Sequence, residues 1–183
     1  NLHTWGLLRI VIAASNTSLA TTSWRNCADP RLGAGVVGGA LNNGLYFFYE
    51  AGETSAHALN GRIVRVGNHP RSKNSLRNRL WAHYSPNKNS SVFRRYLGGA
   101  LLRQDNPNHP CLKPEPGKGH WEKQKAPTCE ICSPLEYRVT ALLQERFTFR
   151  CIMIEEQRLR NTLEKKLIGT LSSCRICKSS DNW

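Results

Sequence analysis

Acidic residues are missing where they would matter most. From Thr54 to Gln104 there is no Asp or Glu, yet the same stretch holds ten Lys or Arg and three His. Over the whole chain 26 basic residues face 13 acidic ones, a net charge of +13. Such a balance implies a polyanionic partner, nucleic acid first and an acidic membrane surface second. Long apolar runs are also lacking. Leu7 to Ala14 is short and carries Arg9 inside it. It is too short to span a bilayer and makes a poor secretion signal. A disulfide framework is disfavoured too, because the seven Cys are an odd number and secreted frameworks use even counts. Two Cys-x-x-Cys pairs point instead to a reducing compartment such as the cytoplasm, with thiols free or metal-bound. The chain begins without Met, as a piece of a longer polypeptide would.

At 183 residues one domain with an appended piece is expected. Residues 1–43 are Ser/Thr-rich and then Gly-rich, and read as an N-terminal extension. Leu45 to Glu50 is an aromatic run that reads as a buried strand. Ile63 to Val66 alternates apolar and basic, which predicts a second strand with one wet face. Ser75 is an N-cap for a helix to about Tyr84, with Leu76, Leu80 and Tyr84 on one side. Ser90 or Ser91 starts another helix, with Arg94 and Arg95 expected on its exposed face. Asp105 to Thr128 contains five Pro and reads as an inserted loop at 105–128. A helix from Pro134 to about Glu145 follows. Phe147 to Ile154 reads as a central strand, and Glu156 to Ser172 as a closing helix. Residues 174–183 read as a tail. The five Trp are left with the core.

The last helix carries the sharpest chemical signal. Leu159, Leu163, Leu167 and Leu171 define an apolar face, widened by Ile168. Glu164 falls inside that arc. A carboxylate on an inward face is costly unless it is paired or bound to a cation. Two readings stand: an ion pair with Arg160 one turn earlier, or a metal ligand bridging to phosphate. Phosphodiester hydrolysis needs a base for water, a cation, and a counter-charge for the developing anion. Tyr46, Glu164 and Arg79 supply these types, with His83 as a polar neighbour. Each has a plainer alternative: Tyr46 as core, Arg79 as a solvated phosphate contact, His83 as an edge residue.

Five ordered segments carry a family likeness: Gly44-Leu45-Tyr46, Val64-Arg65-Val66-Gly67, Leu76 to His83, Phe93 to Gly98, and Leu163 to Leu171. In this order they resemble a GIY-YIG nuclease domain, here over about Gly44 to Leu171 with a Pro-rich insertion. The resemblance implies an α+β fold, a small three-stranded antiparallel sheet flanked by helices. It implies an endonuclease that cuts DNA through a Glu-bound divalent ion, usually Mg²⁺ or Mn²⁺. Carried over by position, Tyr46 resembles the tyrosine that activates water and Arg79 the phosphate-stabilising arginine. His83 resembles an assisting residue, and Glu164 the metal ligand. The basic face expected on DNA comprises Arg62, Arg65, Arg77, Arg94 and Arg95. One departure is plain: Arg65 stands where the family has its second motif tyrosine, and arginine is a poor base. Ser173 stands where relatives carry an Asn, with Asn182 a later candidate. Two rival readings follow: an inactive DNA-binding module on the same fold, and a zinc-stabilised nucleic-acid-binding adaptor. For the adaptor, Cys129, Cys132, Cys174 and Cys177 would close a tetrahedral Zn²⁺ site, although the long spacing and the strand topology argue against their meeting.

Overall fold

A computed structural model describes residues 42–57, 61–69, 75–112, 121, 130 and 132–177. Its element order is β1 (Gly44–Glu50), β2 (Ile63–Asn68), α1 (Leu76–Tyr84), a short 3₁₀ turn (Lys88–Ser90), α2 (Val92–Asp105), α3 (Cys132–Arg146), β3 (Phe147–Met153) and α4 (Gln157–Ser172). The fold is α+β, built on an antiparallel sheet of order β2-β1-β3. Within the described residues the chain divides into two compact units. One holds the residues up to Arg79 and from Arg146 onward; the other spans Leu80–Glu145. Of the expected N-terminal extension, residues 1–41 lie outside the described residues, as does most of the Pro-rich segment.

In the first unit the aromatic run became the central strand. Leu45, Tyr46, Phe47 and Phe48 are all buried, because β1 is covered on both faces and flanked on both edges. Alternation along β1 sends Leu45, Phe47 and Tyr49 to one face. There they meet Val66 and Ile63 of β2, Ile152 of β3, and Leu163, Leu167 and Leu171 of α4. Tyr46 and Phe48 point to the other face, their rings edge-to-face at 5.6 Å, with Phe147 and Phe149 packed edge-on against Phe48. Phe147 to Ile154 was expected to be central, but β3 is an edge strand. Its burial alternates along the first half and fades towards exposed Met153, the pattern of a strand wet on one side.

Most helix starts follow the caps read from the sequence. The Ser75 hydroxyl accepts the Asn78 N–H at 3.2 Å, and the Ser91 hydroxyl accepts the Arg94 N–H at 3.2 Å. Glu156 caps α4 through its backbone carbonyl alone, which takes the Arg160 N–H at 3.0 Å. On α4 the apolar stripe is narrower than its leucines suggest. Leu167 is buried, whereas Leu159 and Ile168 remain exposed.

The second unit is held by polar side chains turned inward. Arg94 is fully buried. Its Nη2 donates to Glu136 Oε2 at 2.7 Å and to the Glu136 carbonyl at 2.7 Å, and its Nη1 to the His83 carbonyl at 2.9 Å. The Lys88 N–H donates to the other Glu136 oxygen. Trp121, from the Pro-rich segment, is also fully buried. Its ring lies over Gly98, where an added Cβ would sit 2.4 Å from Cε3. Its indole N–H reaches Cys132 Sγ at 3.3 Å. The Pro-rich segment thus supplies a core anchor in Trp121.

Candidate active site

The two motif glycines are fixed by close approach. A Cβ on Gly44 would lie 2.2 Å from the Ile152 carbonyl oxygen of β3. A Cβ on Gly67 would lie 2.3 Å from both Cζ and the hydroxyl oxygen of Tyr46. Tyr46 and Gly67 are cross-strand partners, so the phenol ring lies flat across the one residue that has no side chain. This is a packing reason for a Gly-x-Tyr strand to pair with a strand ending in Gly.

Glu164 reaches the next residue of the same strand. Its Oε1 accepts the Asn68 N–H at 3.2 Å. The Asn68 side-chain amide donates to Asn161 Oδ1 at 3.0 Å, one turn earlier on α4. Tyr46 therefore meets Gly67, and Glu164 meets Asn68. Among the described residues no donor takes Glu164 Oε2. The alternative ion pair is not formed: Arg160 is buried, and its Nη1 donates instead to the carbonyls of Ile154 at 2.8 Å and Glu155 at 2.7 Å. A half-buried carboxylate with one oxygen held by an amide suits a hard divalent ion, which takes few protein carboxylates and completes its shell with water and phosphate. Asn68 and Asn161 escaped the sequence reading, since asparagines carry no periodic signal and their pairing is a tertiary event.

Arg79 is half-buried on the first turns of α1. That helix is tied to the start of β1 by the Leu76 N–H donating to the Asn42 carbonyl at 2.8 Å. Tyr46 is fully buried, as the plainer reading of an aromatic strand expected. His83, expected at an edge, is fully buried in the second unit, with Nδ1 2.6 Å from the Ser91 hydroxyl and its ring edge-on to Phe93.

The expected DNA face needs correction at two arginines. Arg94 is buried in its pair with Glu136, because it shares the inward face of α2 with Leu97 and Gly98, one turn later. Burial pulls its guanidinium below the usual arginine value, and Glu136 partly offsets this. Arg62 is drawn onto Glu53, with Nε at 2.9 Å and Nη2 at 2.8 Å from the same oxygen. Arg77 is exposed, while Arg65 and Arg95 are half-buried.

The cysteines also group differently from the expected set of four. Cys129 lies outside the described residues. Cys132 is buried inside the second unit, near Cys111 Sγ at 3.9 Å and Lys88 Nζ at 3.6 Å. Cys174 and Cys177 instead gather His57 of the β1–β2 loop. Hydrogen bonds from the Cys177 backbone first, then from His57 and the Ile176 backbone, lower the Cys174 thiol to about 7. His57 was not a sequence candidate, since nothing local links it to cysteines so far along the chain.

No helix among the described residues is long and apolar enough to cross a membrane. Comparison with protein families matches residues 37–183 to a GIY-YIG domain model. No curated protein and no solved structure matches the chain.

Proposed function

Because this chain belongs to the GIY-YIG domain family, a nuclease family, we propose that it is a divalent-metal-dependent endonuclease hydrolysing DNA phosphodiester bonds. One observation carries the reading. Glu164 sits on the sheet-facing side of α4, is held through one oxygen by the Asn68 N–H, and is not neutralised by Arg160. Its carboxylate would hold Mg²⁺ or Mn²⁺. An ion bound there supplies charge stabilisation at a phosphoryl oxygen.

The protein's own groups do the rest. Arg79 donates to the non-bridging phosphate oxygens as negative charge builds on them. The Tyr46 oxygen, fixed over Gly67, orients the attacking water and, once its own proton has passed to bulk water, takes the proton that the attacking water gives up. Water then bonds to phosphorus as the P–O bond to one sugar breaks, and the departing sugar oxygen takes a proton from bulk water. Arg77, with the half-buried Arg65 and Arg95, contributes the salt-sensitive hold on the DNA backbone. We assign Arg94 and Arg62 to the fold. His83, tied to the cap of α2, keeps that junction in shape. A reducing compartment such as the cytoplasm suits Cys111, Cys132, Cys151, Cys174 and Cys177, none of which is in a disulfide.

A second reading has its own support. Arg65 occupies the second motif tyrosine position and Tyr46 is shut from solvent, which suits a binding module without catalysis. Supercoiled plasmid incubated with the protein and Mg²⁺, Mn²⁺ or EDTA separates the two. Nicked or linear product with either metal and none with EDTA is expected. Retardation of DNA without any metal-dependent product would establish the binding module instead.

A further inference from the structure

A second cluster of ligand-type side chains lies in the first unit, built from the β1–β2 loop and the chain just beyond α4. His57, Cys174 and Cys177 each present one donor atom, and these atoms lie within 4.8 Å of one another. His57 Nε2 is 3.2 Å from Cys174 Sγ. The Cys177 N–H points back at Cys174 Sγ at 3.3 Å, which folds Cys-x-x-Cys into a tight knuckle with both sulfurs on one side. Ser55 Oγ stands 3.6 Å from Cys177 Sγ, and the same hydroxyl accepts the His57 N–H at 3.2 Å, which braces the loop that carries the histidine.

We propose that His57, Cys174 and Cys177 bind a zinc ion that clamps the β1–β2 hairpin loop to the C-terminal end of α4. Two thiolates and one imidazole are a borderline-soft donor set. Tetrahedral zinc takes sulfur at about 2.3 Å and nitrogen at about 2.0 Å, which places neighbouring ligand atoms roughly 3.5–4 Å apart. The cluster needs only small side-chain adjustments to reach that spacing. Three protein ligands leave the fourth position to a further donor, such as water. Oxygen donors are absent from the set, so Mg²⁺ and Ca²⁺ are poor occupants. The site is chemically distinct from Glu164, which offers only oxygen. Its place in the fold gives it a purpose: α4 carries Glu164, and the clamp fixes the far end of that helix against the hairpin whose second strand holds Asn68.

The test is metal content of tag-free protein, with stability as a second readout, so its outcome does not depend on nuclease activity. Purified protein is expected to hold one zinc per chain. His57→Ala and Cys177→Ser should lose it, and Cys132→Ser should keep it. His57→Cys should retain zinc. After exchange of zinc for Co²⁺, the wild-type chain should show thiolate charge-transfer and tetrahedral ligand-field bands. A chelator should lower Tm, and added zinc should restore it. If variants at His57 or Cys177 fail to fold, the Co²⁺ spectrum of the wild-type chain decides. Wild-type protein that takes up neither metal, a Cys174–Cys177 disulfide under reducing purification, or zinc lost from Cys132→Ser but kept by His57→Ala would each overturn the proposal.

Discussion

Two carboxylates, one in each unit, meet opposite fates. Glu136 in the second unit is saturated: one oxygen takes the Lys88 N–H and the other takes Arg94 Nε and Nη2. Glu164 in the first unit accepts one backbone N–H, and the arginine one turn away caps carbonyls instead. Both acids sit on helices and both are partly shielded. The difference is whether the fold supplies a counter-charge. Glu136 is a cross-link whose charge is spent internally, whereas Glu164 has no counter-charge among the described residues. The same contrast divides the arginines. Arg94 is consumed by the core, while Arg77 stands in solvent.

Breaking the saturated pair should cost most. Arg94→Ala removes the partner of Glu136 and three donors to buried or half-buried oxygens. The expected loss is about 3 kcal/mol, the low end for a broken buried pair because Glu136 keeps some solvent contact. That is roughly 10 °C in Tm by calorimetry for a domain of this size. A loss below about 0.5 kcal/mol would mean that Arg94 is a surface cation after all. Arg77→Ala should behave in the opposite way, with stability unchanged within about 0.5 kcal/mol. Its effect belongs to DNA affinity, where the slope of log K against log salt should become shallower by about one. An unchanged slope would remove Arg77 from the DNA face.

Much of the fold was legible because its signals are local. The Ser75 and Ser91 caps, the aromatic run of β1 and the alternation of β2 each depend on a few consecutive residues. Strand order is not local, so Phe147 to Ile154 reads as central by its apolar content, yet β3 lies at an edge. The wheel of α4 places Glu164 inside the apolar arc, but Leu159 and Ile168 on the same wheel stay exposed, because the sheet touches only a narrow stripe of the helix. Arg94 looked exposed since helical periodicity treats arginine as polar. Only the tertiary partner Glu136, 42 positions later, shows otherwise. The His57 cluster and the Asn68–Asn161 bond escaped for the same reason: each joins residues that sequence spacing cannot bring together.

The measurement that bears most directly on the Glu164 account is a paired assay of Glu164→Gln, scored for plasmid cleavage with Mg²⁺ or Mn²⁺, for DNA retardation and for Tm. Glutamine can still accept the Asn68 N–H but offers a divalent ion no charge. Cleavage should fall by about 10³-fold, equivalent to several kcal/mol of lost charge stabilisation, while affinity and Tm stay near wild type. Cleavage at the wild-type rate by the Gln variant would contradict the account.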